Sequence, residues 1–149
     1  MNEYQQKALL KKATVTPELA KRNIDSWQKL ITFYNKFSMP LWEWLTPLIT
    51  LVERIAESEY ARLFRGGQSI YHLIISTKEH HGLEADDHCV AVLIEKNHPM
   101  WIEYHIGYEV VACQTCDNGC DVWRIVETYL ARLWYETKAK DRTEGANLL

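Results

Sequence analysis

Residues 66–77 read Gly66-Gly67-Gln68-Ser69-Ile70-Tyr71-His72-Leu73-Ile74-Ile75-Ser76-Thr77, and this stretch decides the fold class. Paired glycines are costly inside a helix and serve well at its end, so the helical half of the chain closes at about residue 65. The run from Ser69 to Thr77 is rich in β-branched side chains, which suit a pleated, half-buried strand.

Upstream of the glycines the apolar period is helical. Residues 2–13 predict a short helix with Tyr4, Ala8 and Leu9 on one side. Thr16, Pro17 and Glu18 form an N-cap, a proline at the first helical position and a charge suited to the helix dipole. Ala20, Ile24, Trp27, Ile31 and Tyr34 then recur at steps of three and four, with Leu30 and Phe37 beside them, which predicts an amphipathic helix to about Lys36. Ser38-Met39-Pro40 restarts the chain. Thr46-Pro47 opens or kinks a further helix whose stripe is Leu48, Leu51, Val52 and Ile55.

Downstream the period changes to two. Residues 88–96 and 100–106 predict strands. In the second of these Met100, Ile102, Tyr104 and Ile106 face one way, and Trp101, Glu103 and His105 the other. A three-residue connection at Asn97-His98-Pro99 would pair Ile94 with Ile102 and put Cys89, Ala91 and Leu93 on the face of Trp101, Glu103 and His105. A shorter strand follows Gly107. Asn118-Gly119 is a turn, and Asp121 caps a helix carrying Val122, Ile125, Val126, Tyr129, Leu130 and Leu133 on one face, with Trp123 and Trp134 at its flanks. The expected architecture is α+β: N-terminal helices, then a three- to four-stranded antiparallel meander over about 68–114, then a C-terminal amphipathic helix over about 121–137 packed on the sheet. Residues 1–137 read as a single domain and 138–149 as a frayed polar tail.

The chain has 149 residues, 47% of them hydrophobic and 25% charged, a balance that supports a packed core and argues against disorder. Its net charge is −3 with no long basic run, so nucleic-acid binding is not expected. No apolar stretch is long enough for a transmembrane segment; 39–52 is the most apolar, and it contains Glu43. The N-terminus lacks the pattern of a secretory signal, and with that the four cysteines read as reduced thiols of a cytoplasmic protein.

Four constellations could carry chemistry. Cys113, Cys116 and Cys120 are spaced C-x2-C-x3-C, in which the first pair suits one zinc or iron ion, the third thiolate could join them, and a fourth ligand would come from Cys89, His88 or another part of the fold. A polar loop gathers His80, His81, Glu84, Asp86, Asp87 and His88, without the spacing of a helical metal motif. On the sheet, His72 could approach Glu103 or His105 to form an acid–base or ligand site beside Trp101. Trp42 and Trp44 stand two apart in an aromatic, proline-bounded segment; a helix cannot turn both to one face, so one is expected inside and the other at a contact surface.

No P-loop, dinucleotide-binding glycine pattern or nucleophile elbow occurs. Six Trp and eight Tyr are many for this length, and large aromatics favour interfaces. The leading expectation is a non-catalytic protein-interaction module, acting as regulator, inhibitor or assembly partner, with Trp42, Trp44 and Trp101 as contact residues and either another protein or a second copy as partner. The alternatives are a metal-binding protein using the cysteines and a small enzyme using His72, Glu103 and His105.

Overall fold

The computed structural model describes residues 1–37, 40–79, 83–117 and 120–139. Helix α1 spans Glu3–Lys11 and α2 Pro17–Asn35; a 3-10 segment, Pro40–Leu45, leads into α3, Thr46–Glu57, and a single turn α4, Tyr60–Leu63. Five strands follow: β1 Arg65–Ser69, β2 His72–Ser76, β3 His88–Leu93, β4 Met100–Ile106 and β5 Glu109–Cys116. Helix α5, Val122–Trp134, and a π-helical turn, Tyr135–Ala139, complete the described chain. The sheet is an antiparallel meander in chain order. The fold is α+β, as the periodicities require, with one strand more than the longer of the expected meanders.

Two caps behave as read, whereas at Thr46-Pro47 the cap position falls on Leu45 and no side chain caps the helix. Thr16 accepts a hydrogen bond from the Leu19 N–H at 3.2 Å, and Asp121 accepts one from Arg124. Leu48, Leu51, Val52 and Ile55 are all buried. Helix α1 differs: Tyr4 is exposed and Leu10 is its buried residue, because α1 packs along α5.

The glycines differ more. They do not end a helix; they lie inside β1. The Trp27 indole N–H donates to the Phe64 carbonyl at 2.9 Å, and the Gly66 N–H donates to Ser26 Oγ at 2.9 Å. A Cβ on Gly66 would sit 2.6 Å from Leu30 Cδ1 and 2.9 Å from Trp27 Cδ2. Glycine is therefore needed where α2 lies directly on the strand. The stretch read as one strand, 69–77, folds instead as a hairpin. Its tip is Ile70-Tyr71, and Ile70 adopts φ 58°. At the β4–β5 hairpin tip Gly107 has φ +60°, and a Cβ there would meet the Ala85 carbonyl oxygen.

The helix-facing row of the sheet, Leu73, Ile75, Val90, Val92, Ile102 and Tyr104, joins Trp27, Tyr34, Phe64, Leu130 and Leu133 in one core cluster. Val92, not Ile94, pairs with Ile102, because the β3–β4 connection runs from 94 to 99. A shift of two residues preserves parity, so Cys89, Ala91 and Leu93 share the second face with Trp101, Glu103 and His105 as expected. The turn expected at Asn118-Gly119, the restart at Ser38-Met39 and residues 140–149 of the expected tail lie outside the described residues. No described helix is long and apolar enough to cross a membrane.

Replacing Gly66 by Ala should destabilise the protein by about 1–3 kcal/mol, the usual cost of overpacking. Gly67→Ala is the control, since its Cβ would come no closer than 3.8 Å to Ile74 O. Urea unfolding checks both; equal midpoints for the two variants would contradict the packing described.

Candidate functional site

Three surfaces concentrate the candidate residues. On the second face of the sheet, β4 alternation brings Trp101, Glu103 and His105 into a row. The Glu103 carboxylate accepts from the Trp101 indole at 3.1 Å and lies 2.9 Å from His105 Nε2. His72 is not part of this group: it stands on β2, two strands from β4, at the level of Leu93 and Trp101. Cys113 stands directly opposite Glu103 on β5 and is exposed. The arrangement is a polar, hydrogen-bonded strip on one face of the sheet.

The cysteines separate. Cys116 and Cys120 are joined as a disulfide that ties the end of β5 to the start of α5. This corrects the expectation of four reduced thiols; a separation of four residues lets the two thiols reach one another. Cys89 and Cys113 are free, the first buried and the second exposed. Burial, with the Asp87 charge adding to it, pushes the Cys89 thiol up to about 11, which keeps it protonated at neutral pH. His88, one residue earlier, turns to the opposite face and meets the Tyr104 hydroxyl at 3.0 Å and Glu136 at 3.2 Å. Among the described residues no three His, Cys, Asp or Glu side chains gather to share a metal. Of the polar loop, His80 and His81 lie outside the described residues. Asp87 turns back on its own loop, accepting from the Glu84 N–H and pairing with Lys78.

The third surface is aromatic. Trp42 and Trp44 come together after all, with ring centroids 5.8 Å apart, and both contact Tyr71. The helical argument fails because Pro40–Leu45 is a 3-10 segment with a break at Trp42 (φ −111°, ψ 18°). Phe37 closes the group against Trp42 and Tyr71. Leu41 and Ile70 border it and are 77% and 70% exposed, among the most exposed large apolar residues described. Beside Trp42 a recess of about 290 Å³ is lined by Tyr34, Phe37 and Ile49, with Glu43 and Glu53 at its margin.

One network was not legible in the sequence. The π-helical turn after α5 carries Glu136, which accepts from the Tyr104 hydroxyl at 2.6 Å and from Arg132 Nε at 3.1 Å. The Arg132 guanidinium also stacks 4.3 Å above the Tyr104 ring. Burial works against the Glu136 charge, but the Tyr104 and Arg132 hydrogen bonds, with the Arg132 and His88 charges, hold its carboxyl below the usual range. The only sequence signal was the spacing of four between Arg132 and Glu136.

Comparisons with models of known families, with curated proteins and with solved structures return no match.

Two predictions follow from these contacts. A carboxyl depressed in the folded state stabilises the protein above its unfolded pKa of about 4.3, and that contribution is lost as pH falls through the folded value. The Tm advantage of the native chain over Glu136→Gln should therefore be full at neutral pH and shrink in acid; a gap independent of pH would contradict the network. Cys116→Ser should cost ~2 kcal/mol or less, the chain-entropy value for so short a loop. Reductant added to the native protein should lower the urea midpoint similarly and leave the Cys116→Ser variant unmoved.

Proposed function

We propose that the protein is a non-catalytic interaction module that docks through its aromatic end, with a second copy of the chain as the simplest occupant. One observation carries the reading: exposed apolar side chains, Leu41 and Ile70, border the same aromatic group as the recess at Trp42. A projection and a recess on one patch are what a two-fold, self-complementary contact requires. The backbone of Ile70 supports it. A β-branched residue at φ 58° is strained by about 1–3 kcal/mol, yet its side chain is left in solvent. Trp101 on the sheet face is a second contact candidate, its indole N–H bonded to Glu103.

The setting proposed is the cytoplasm. Cys89 and Cys113 remain free, which favours it, while the Cys116–Cys120 disulfide would stand reduced in that compartment. The absence of a basic run continues to argue against nucleic acid as partner.

Light scattering at two widely separated concentrations tests the docking. The mass should rise with concentration, and rise further with added salt, because Glu43 and Glu53 bring like charges together across the two-fold. Leu41→Asp combined with Ile70→Asn should leave a folded monomer, as asparagine tolerates the left-handed backbone. A native chain that stays monomeric throughout would refute self-docking.

A further inference from the structure

We propose that the edge strand β5 takes up an extended segment of a partner protein, basic at its two ends and uncharged between them, as an added strand. This surface lies at the edge of the sheet opposite β1 and is separate from the aromatic end proposed above.

The openness of β5 carries the argument. No described strand lies beyond it in the sheet, and α5 packs on β3 and β4. Along Glu109–Cys116 only Ala112 and Cys116 are half-buried, and the other residues are exposed. Val111 is the extra residue of a bulge, after which pairing with β4 runs without interruption from Ala112 to Cys116. In an antiparallel ladder alternate residues turn their N–H and C=O to the neighbouring strand, and the residues between turn theirs outward. Among the described residues, no hydrogen bond outside the ladders reaches those outward groups. Edges are commonly blunted by proline, lysine or a covering element, and Ala112–Cys116 carries neither residue. The bulge confines strand addition to this run.

Charge selects the occupant. Between Met100 and Asp121 the chain has four acidic residues and no lysine or arginine. Glu103 is bonded to Trp101 and His105, and Asp121 caps α5. Glu109 and Asp117 are exposed at the two ends of the strand, and the ion pairs among the described residues include neither. Residues 110–116 between them are uncharged. A segment laid along β5 therefore meets negative charge at both ends and neutral side chains in the middle, so its own ends should be basic. A second copy of β5 would bring like charges together instead. Tyr108, Val110 and Val111 are exposed beside the bulge, so an apolar residue next to the basic one at that end gains cover.

Three pools of blocked synthetic octapeptides test this. The first carries Lys or Arg at both ends and Val, Thr or Ile between. The second carries Asp or Glu at the ends instead. The third is the basic pool with proline at alternate central positions, which prevents strand pairing. The full chain should bind the first pool and neither control. Hydrogen exchange read by NMR should show alternate amides within Ala112–Cys116 becoming protected. Cys113 reports independently: it is the exposed free thiol, Cys89 being buried, and its alkylation by a maleimide should slow on binding. Glu109→Lys with Asp117→Lys should weaken binding of the basic pool about tenfold and reverse the preference between the first two pools, with the fold unchanged. Three outcomes would each overturn the proposal: no binding of the basic pool at its solubility limit, equal binding of that pool and either control, or binding that leaves the Ala112–Cys116 amides unprotected. The last would place the cationic ends elsewhere on the molecule, and it leaves the concentration dependence of the mass, which tests the aromatic end, untouched.

Discussion

The structure depends on one close crossing, where α2 lies across the start of β1 at a glycine that has no side chain to hold them apart. Trp27 and Leu30 press on the bare Cα of Gly66, while Ser26 and Trp27 hydrogen-bond the backbone at Gly66 and Phe64. Asn23 adds a third such bond, its amide donating to the Arg62 carbonyl at 2.7 Å. Three polar groups on an otherwise apolar helix face are thus satisfied by the chain that enters the sheet, which is the condition for burying them at all. The crossing sets where the sheet begins and which face of it the helices cover.

From that edge the meander grows in sequence order, and each element inherits its position. The helix-facing row is apolar and closes over Trp27, Tyr34 and the inner face of α5. The other row stays out of the core cluster and carries Trp101, Glu103 and His105. The far end of the sheet is held differently, by charge. Glu136 on the π-helical turn gathers Tyr104, His88 and Arg132, and the Cys116–Cys120 disulfide fastens β5 to α5. One edge is locked by packing and backbone bonds, the other by an ion network and a covalent link.

Much of the fold was legible because caps and periods are local. Thr16-Pro17, Thr46-Pro47 and Asp121 mark helix starts whatever they later pack against. The alternation of Met100, Ile102 and Tyr104 against Trp101, Glu103 and His105 survives a two-residue error in register, since parity alone decides a face. The candidate site was less legible. Trp42 and Trp44 were assigned opposite sides by helical geometry, and the 3-10 break at Trp42 brings them together. His72 shares a face with Glu103 but not its neighbourhood, because strand order separates them. The C-x2-C-x3-C spacing is equally compatible with a metal site and with the Cys116–Cys120 link that the folded chain forms.

By itself, then, the sequence determined the α+β class, the helix starts, the antiparallel meander and the parity of β4, each being a property of neighbours along the chain. Tertiary structure alone decided the role of Gly66-Gly67. Adjacent glycines look like an ending when only the local backbone is considered. They are a strand because Trp27 and Leu30, far upstream, need the space a side chain would take, and that need exists only once α2 has folded onto β1.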